Sequence, residues 1–125
     1  MMLYLNILIK IIIALSILNV WLLRYKQSSP YRGGSAETMK EEFTAYGLPE
    51  WVLKVVGTLK VLLSLVLLIS IFYRSIEDFA AGGIAILMLG AIGMHLKIGD
   101  SLKKTMPAFI FLVLSLVIIS DLNKS

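Results

Sequence analysis

Residues 51–74 read WVLKVVGTLKVLLSLVLLISIFYR, an apolar run opened by tryptophan and closed by phenylalanine, tyrosine and arginine. As a helix rising 1.5 Å per residue, the stretch from Trp51 to Tyr73 spans about 34 Å, enough to cross a hydrocarbon core of roughly 30 Å. Aromatic residues at both ends match the belt that forms where a helix leaves the bilayer. Three further apolar runs flank it, at 2–23, 79–96 and 106–119, and the charges inside the four runs are Lys10, Lys54 and Lys60, with no Asp or Glu. The last run is short, and extending it from Thr105 as N-cap, with Pro107 in the first turn, gives a crossing over 105–122.

Composition agrees. The chain is 58% hydrophobic and 16% charged with a mean hydropathy of +0.89, well above a water-soluble domain of this length. The expected architecture is all-α: an integral membrane four-helix bundle in a single domain, residues 1–125, with spans at 2–23, 51–73, 79–96 and 105–122. The first run does not read as a cleaved leader. No basic segment precedes it, Lys10 interrupts it, and no small-residue cleavage site follows before Arg24.

The net charge of +4 lies beside apolar runs, which favours anionic lipid head groups over nucleic acid as the counter-charge. Without cysteine, the chain has no thiol redox chemistry and no thiolate ligand for an iron–sulfur cluster. One histidine and no clustered carboxylates argue against a zinc or di-iron centre. No nucleophile stands in a pattern with a base, so a self-contained enzyme is not expected.

Short connections at 74–78 and 97–105 make successive spans antiparallel neighbours. Arg24, Lys26, Arg32, Lys40, Lys97, Lys103 and Lys104 then fall on one side, and Arg74 and Lys124 on the other. By the positive-inside rule the two longer loops are cytoplasmic and both termini outside, in what is expected to be a bacterial inner membrane. The first loop holds a further element. Thr38 with Glu41 three residues on fits a capping box, Met39, Phe43 and Tyr46 recur at helical spacing, and Gly47-Leu48-Pro49 ends the pattern. These features predict an amphipathic interfacial helix over 36–46, either a connector lying on lipid or a lid over the bundle.

Polar residues concentrate at that cytoplasmic end. Asn19, Lys60 and His95 are the candidate pocket for a lipophilic molecule with a polar or anionic head, a quinone or a lipid, with Arg24, Lys54, Thr58 and Asp100 as supporting polar groups. Lys60 would neutralise the head group and His95 would hydrogen-bond it, whereas a snorkelling lysine and an interfacial histidine at a helix C-terminus are the plainer readings. Lys54, four residues after Glu50, fits an exposed ion pair. Lys10 leans toward the opposite face with Asn6 one turn away and reads as snorkelling. Gly82, Gly90 and Gly93, on one face with Ile86, predict close packing against another helix of the bundle, a second subunit in a homodimer, or a membrane protein partner.

Taken in order, the segments Asn19-Val20-Trp21-Leu22-Leu23-Arg24, Phe43 to Trp51, Val56-Gly57-Thr58-Leu59-Lys60-Val61 and Met94 to Asp100 with Met106-Pro107-Ala108 resemble the DoxX-like family of small four-span membrane proteins. The resemblance implies a helical bundle and, for some members, association with quinone-linked sulfur oxidation or other membrane redox complexes. An accessory subunit is therefore one expectation. The broader group also includes receptor-assembly chaperones, so an assembly protein acting through helix contacts is the other. Many relatives carry an acidic residue in the second span where this chain has Lys60, so a role that depends on that carboxylate is not carried over.

Overall fold

The computed structural model describes residues 3–23 and 38–120. They form α1 (Leu3–Leu18), continued by a π-helical turn (Asn19–Leu23), then α2 (Met39–Ala45), α3 (Glu50–Ile69), α4 (Glu77–Lys97) after a 3₁₀ turn (Arg74–Ile76), and α5 (Leu102–Ile119). No strand occurs among the described residues, and four helical segments are long and apolar enough to cross a membrane: Tyr4–Leu22, Glu50–Ile69, Arg74–Lys97 and Leu102–Ile119. Arg24, Lys26, Arg32 and Lys124 lie outside the described residues.

The distribution of side chains is that of a protein whose solvent is hydrocarbon. At mid-helix, Leu62, Ile86 and Ile110 point outward and are 53%, 69% and 46% exposed, whereas Asn6, Lys10, Ser64, Glu77 and Ser115 are completely enclosed. In water that arrangement would leave apolar surface wet while removing charge from solvent, each unfavourable. In a bilayer, both are what the surroundings demand.

Four helices form the bundle with α1 and α3 antiparallel, as the pairing of Lys10 with Ser70 at one end and Trp21 with Gly57 at the other requires. The core joins Ile13 and Ile17 of α1, Leu67 of α3, Ala81 and Ile84 of α4 and Ile118 of α5. The most extensive interface lies between α4 and α5. Ala80, Ala81 and Ala85 are buried along α4, and small side chains let helix backbones approach where lipid offers no weaker contact than a neighbouring helix. Gly83 serves α3 instead: a Cβ there would come within 2.8 Å of Leu63.

Local signals explain the element ends. Thr38 accepts a hydrogen bond from the Glu41 N–H at 3.2 Å and caps α2. The chain leaves α2 through Gly47 at φ +78, a conformation that disfavours residues with a Cβ. Helix α5 starts at Leu102 with Ser101 as N-cap, four residues before the expected N-cap Thr105. Pro107 consequently sits in the second turn, where it removes the N–H that would bond the Lys103 carbonyl.

Candidate functional site

At the end of the bundle where α1 finishes and α3 begins, the π turn brings Trp21 against Gly57. A Cβ at 57 would lie 2.5 Å from the indole, so the absent side chain is what admits the ring. One turn along α3 from that glycine, the Lys60 ammonium sits 5.3 Å above the Trp21 ring centroid, within the range of a cation–π contact. No carboxylate among the described residues lies within ion-pair distance of Lys60, although Glu42 of α2 is near enough to act on it electrostatically.

From Trp21 a ladder of rings crosses to α4. Trp21 meets Phe43 edge to face at 6.1 Å, Phe43 meets Tyr46 at 5.8 Å, and Tyr46 meets His95 edge to face at 5.7 Å. Helix α2 therefore lies on the bundle through the buried Phe43 and Tyr46, which cluster with Leu53. Lys97 fastens its far end by donating to the Tyr46 carbonyl at 3.1 Å, a cation where a helix C-terminus offers free carbonyls.

His95, 4% exposed, is held from both sides. Its Nδ1 is 2.7 Å from Asp100 Oδ2 and its Nε2 is 3.3 Å from the Tyr46 hydroxyl, which donates to Glu42 Oε1. Asp100 returns to His95 because Gly99 takes φ +72 and lets the Asp100 N–H reach the His95 carbonyl at 2.9 Å. Lys104 stands 3.9 Å from the other Asp100 oxygen.

Of the residues singled out from sequence, the structure brings Lys60, His95 and Asp100 into one basic and aromatic end. Lys60 and His95 are joined through the ring ladder and not by a hydrogen bond. Asn19 is half-buried at the start of the π turn. Lys54 and Thr58 are exposed on α3, and no ion pair joins Lys54 to Glu50. Arg24 lies outside the described residues. At Gly82, Gly90 and Gly93 an added Cβ would meet nothing within 4 Å, so among the described residues no helix packs on that face of α4. Tyr46, Glu42 and Gly57 are contributors that sequence reasoning missed. Their roles emerge only once α2 folds back over α3 and α4.

A second polar cluster occupies the opposite end. Lys10 ends in a buried ion pair and not in the interface: its Nζ is 2.8 Å from Glu77 Oε1 and 3.1 Å from the Ser70 carbonyl. Asn6 donates to the same Glu77 oxygen at 2.8 Å, and Arg74 approaches the other at 3.6 Å. Glu77 begins α4 and is wholly enclosed. It links α1 to the turn between α3 and α4. No group of three or more metal-ligating side chains occurs among the described residues.

Fold and site together define a small polytopic membrane protein with a neutralised ion pair at one end and a roofed basic and aromatic cluster at the other. The DoxX-like family matches residues 33–118, more than half of the chain, and the protein belongs to that family. No curated protein and no solved structure matches it.

Proposed function

We propose that this DoxX-like protein is a non-catalytic binding or accessory subunit that holds the polar or anionic head of a lipophilic molecule, a quinone or an anionic lipid, at the Lys60 end of the bundle. The observation that carries this reading is Lys60. The residue is half-buried and its ammonium lies over the face of Trp21, a contact that leaves N–H donors for a ligand oxygen. The aromatic faces of Trp21, Phe43 and Tyr46 offer a stacking surface beside it, and His95 supplies a second polar group behind Tyr46. Loop charge favours this end as the cytoplasmic one, with both termini outside, in a bacterial inner membrane.

Tryptophan fluorescence tests the proposal in a Trp51→Phe background, where Trp21 is the sole emitter. Titrating a short-chain quinone into nanodiscs should quench Trp21 saturably. Lys60→Met should weaken the apparent affinity about tenfold, the loss expected for one charge-assisted hydrogen bond. Equal quenching in both proteins, or none that saturates, refutes the quinone reading; the same titration with phosphatidylglycerol tests the lipid.

One observation favours the other reading, an interaction protein that stabilises membrane partners or a second copy of itself. Gly82, Gly90 and Gly93, flanking the exposed Ile86, form a small-residue face on which no described helix packs. Gly90→Leu or Gly93→Leu should then abolish co-purification of a partner subunit or crosslinking of a dimer. Unchanged association removes this reading.

A further inference from the structure

Four side chains beside the proposed head-group site form a hydrogen-bonded chain whose hydrogens can be counted. Glu42 Oε1 meets the Tyr46 hydroxyl, the Tyr46 hydroxyl meets His95 Nε2, and His95 Nδ1 meets Asp100 Oδ2. Three links need three hydrogens. With both carboxylates ionised, Tyr46 supplies one and a neutral imidazole supplies one. The third requires one proton more.

That conclusion holds wherever the proton resides. It can sit on His95 as imidazolium, on Asp100 with hydrogen kept on Nε2, or on Glu42 with Tyr46 donating to His95. Every arrangement that completes all three links contains it. Once it is lost to solvent water, no heavy-atom bond changes and no electron moves, but two hydrogens remain for three links: with the ring hydrogen on Nδ1, at the shorter contact of 2.7 Å, Tyr46 faces two acceptors with a single hydrogen. One link must break.

We propose that Glu42, Tyr46, His95 and Asp100 form a binding site for one exchangeable proton, and that its occupancy clasps α2 onto the end of α4. Among the described residues, charged side chains stand near it on three elements. Lys104 of α5 pairs with Asp100, Lys60 of α3 acts on Glu42, and Lys97 of α4 holds the Tyr46 carbonyl. Trp21 of the π turn adds a ring and no charge. Because α2 also carries Phe43 against Trp21, releasing the clasp loosens the roof over Lys60. Only this last step, control of access to the head group, rests on the function proposed above.

The chain contains a single histidine, so ¹⁵N-histidine labelling reports His95 alone. Nitrogen NMR of the ligand-free protein in nanodiscs would follow both ring nitrogens as pH is raised, while hydrogen exchange would follow residues 38–47 in the same samples, corrected for intrinsic exchange. The expected result is that protection of α2 falls about tenfold or more over the pH range in which the ring-nitrogen signals change. In Tyr46→Phe the ring-nitrogen signals still change with pH, but exchange of α2 no longer follows them. Protection of α2 that stays constant while the ring-nitrogen signals change with pH overturns the proposal. If these results hold and quinone and lipid binding fail, only the head-group reading falls.

Discussion

Replacing Lys10 by Met leaves Glu77 buried with Asn6 and the more distant Arg74 as partners. At 2.8 Å the Lys10–Glu77 attraction is about 6 kcal/mol with an effective dielectric constant of roughly 20. Part of it offsets the desolvation of the two charges. Removing one member of such a pair costs about 3–5 kcal/mol, because the other charge is left enclosed without its partner. Glu77→Gln should cost a similar amount, since it leaves Lys10 and Arg74 facing each other. The double variant Lys10→Met/Glu77→Gln removes the charge and its countercharge together and should be no less stable than the worse single variant. The coupling energy is then about 3 kcal/mol or more. Reversible unfolding in mixed micelles, followed by far-UV circular dichroism, measures all four corners of the cycle. Additive losses would refute the reasoning, since they would mean that Lys10 and Glu77 do not meet in the folded protein.

Three further outcomes follow from local geometry. Gly57→Ala should destabilise by about 1–3 kcal/mol and shift Trp21 emission, because the new Cβ would lie 2.5 Å from a rigid indole; unchanged emission and stability would place Trp21 elsewhere. Gly90→Ala meets nothing within 4 Å and should stabilise the monomer by up to about 1 kcal/mol through helix propensity, so a loss measured on monomer in detergent would contradict the outward face. Thr38→Ala should cost about 1 kcal/mol in α2, read as faster hydrogen exchange across 39–45 with the exchange of α4 unchanged.

The four crossings could be read from sequence because each is a continuous apolar run, and hydropathy needs no knowledge of partners. Helix α2 was equally legible: Thr38, Glu41 and Gly47 are local signals, and capping and positive φ are local physics. Glu77 was not. Between Arg74, Ser75 and Asp78 it has the composition of a solvated turn, and only its meeting with Lys10, far away in the chain, makes a buried carboxylate tolerable. The functional end shows the same division. Lys60, His95 and Asp100 could be assigned to one end from helix direction alone, but the link between His95 and Asp100 depends on the backbone of Gly99, and the place of Trp21 depends on a missing Cβ at Gly57. Local periodicity carries no record of such contacts.

The central claim is that hydrocarbon surrounds four antiparallel helices. The chain has no cysteine, so single-cysteine variants labelled in sealed membranes with a membrane-impermeant maleimide test it directly. Glu50→Cys and Ser101→Cys should label from one side, Ser75→Cys only from the other, and Leu62→Cys and Ile110→Cys not at all, although Leu62 and Ile110 are 53% and 46% exposed. Rapid aqueous labelling at 62 and 110, or labelling of 75 from the same side as 50, would contradict the account.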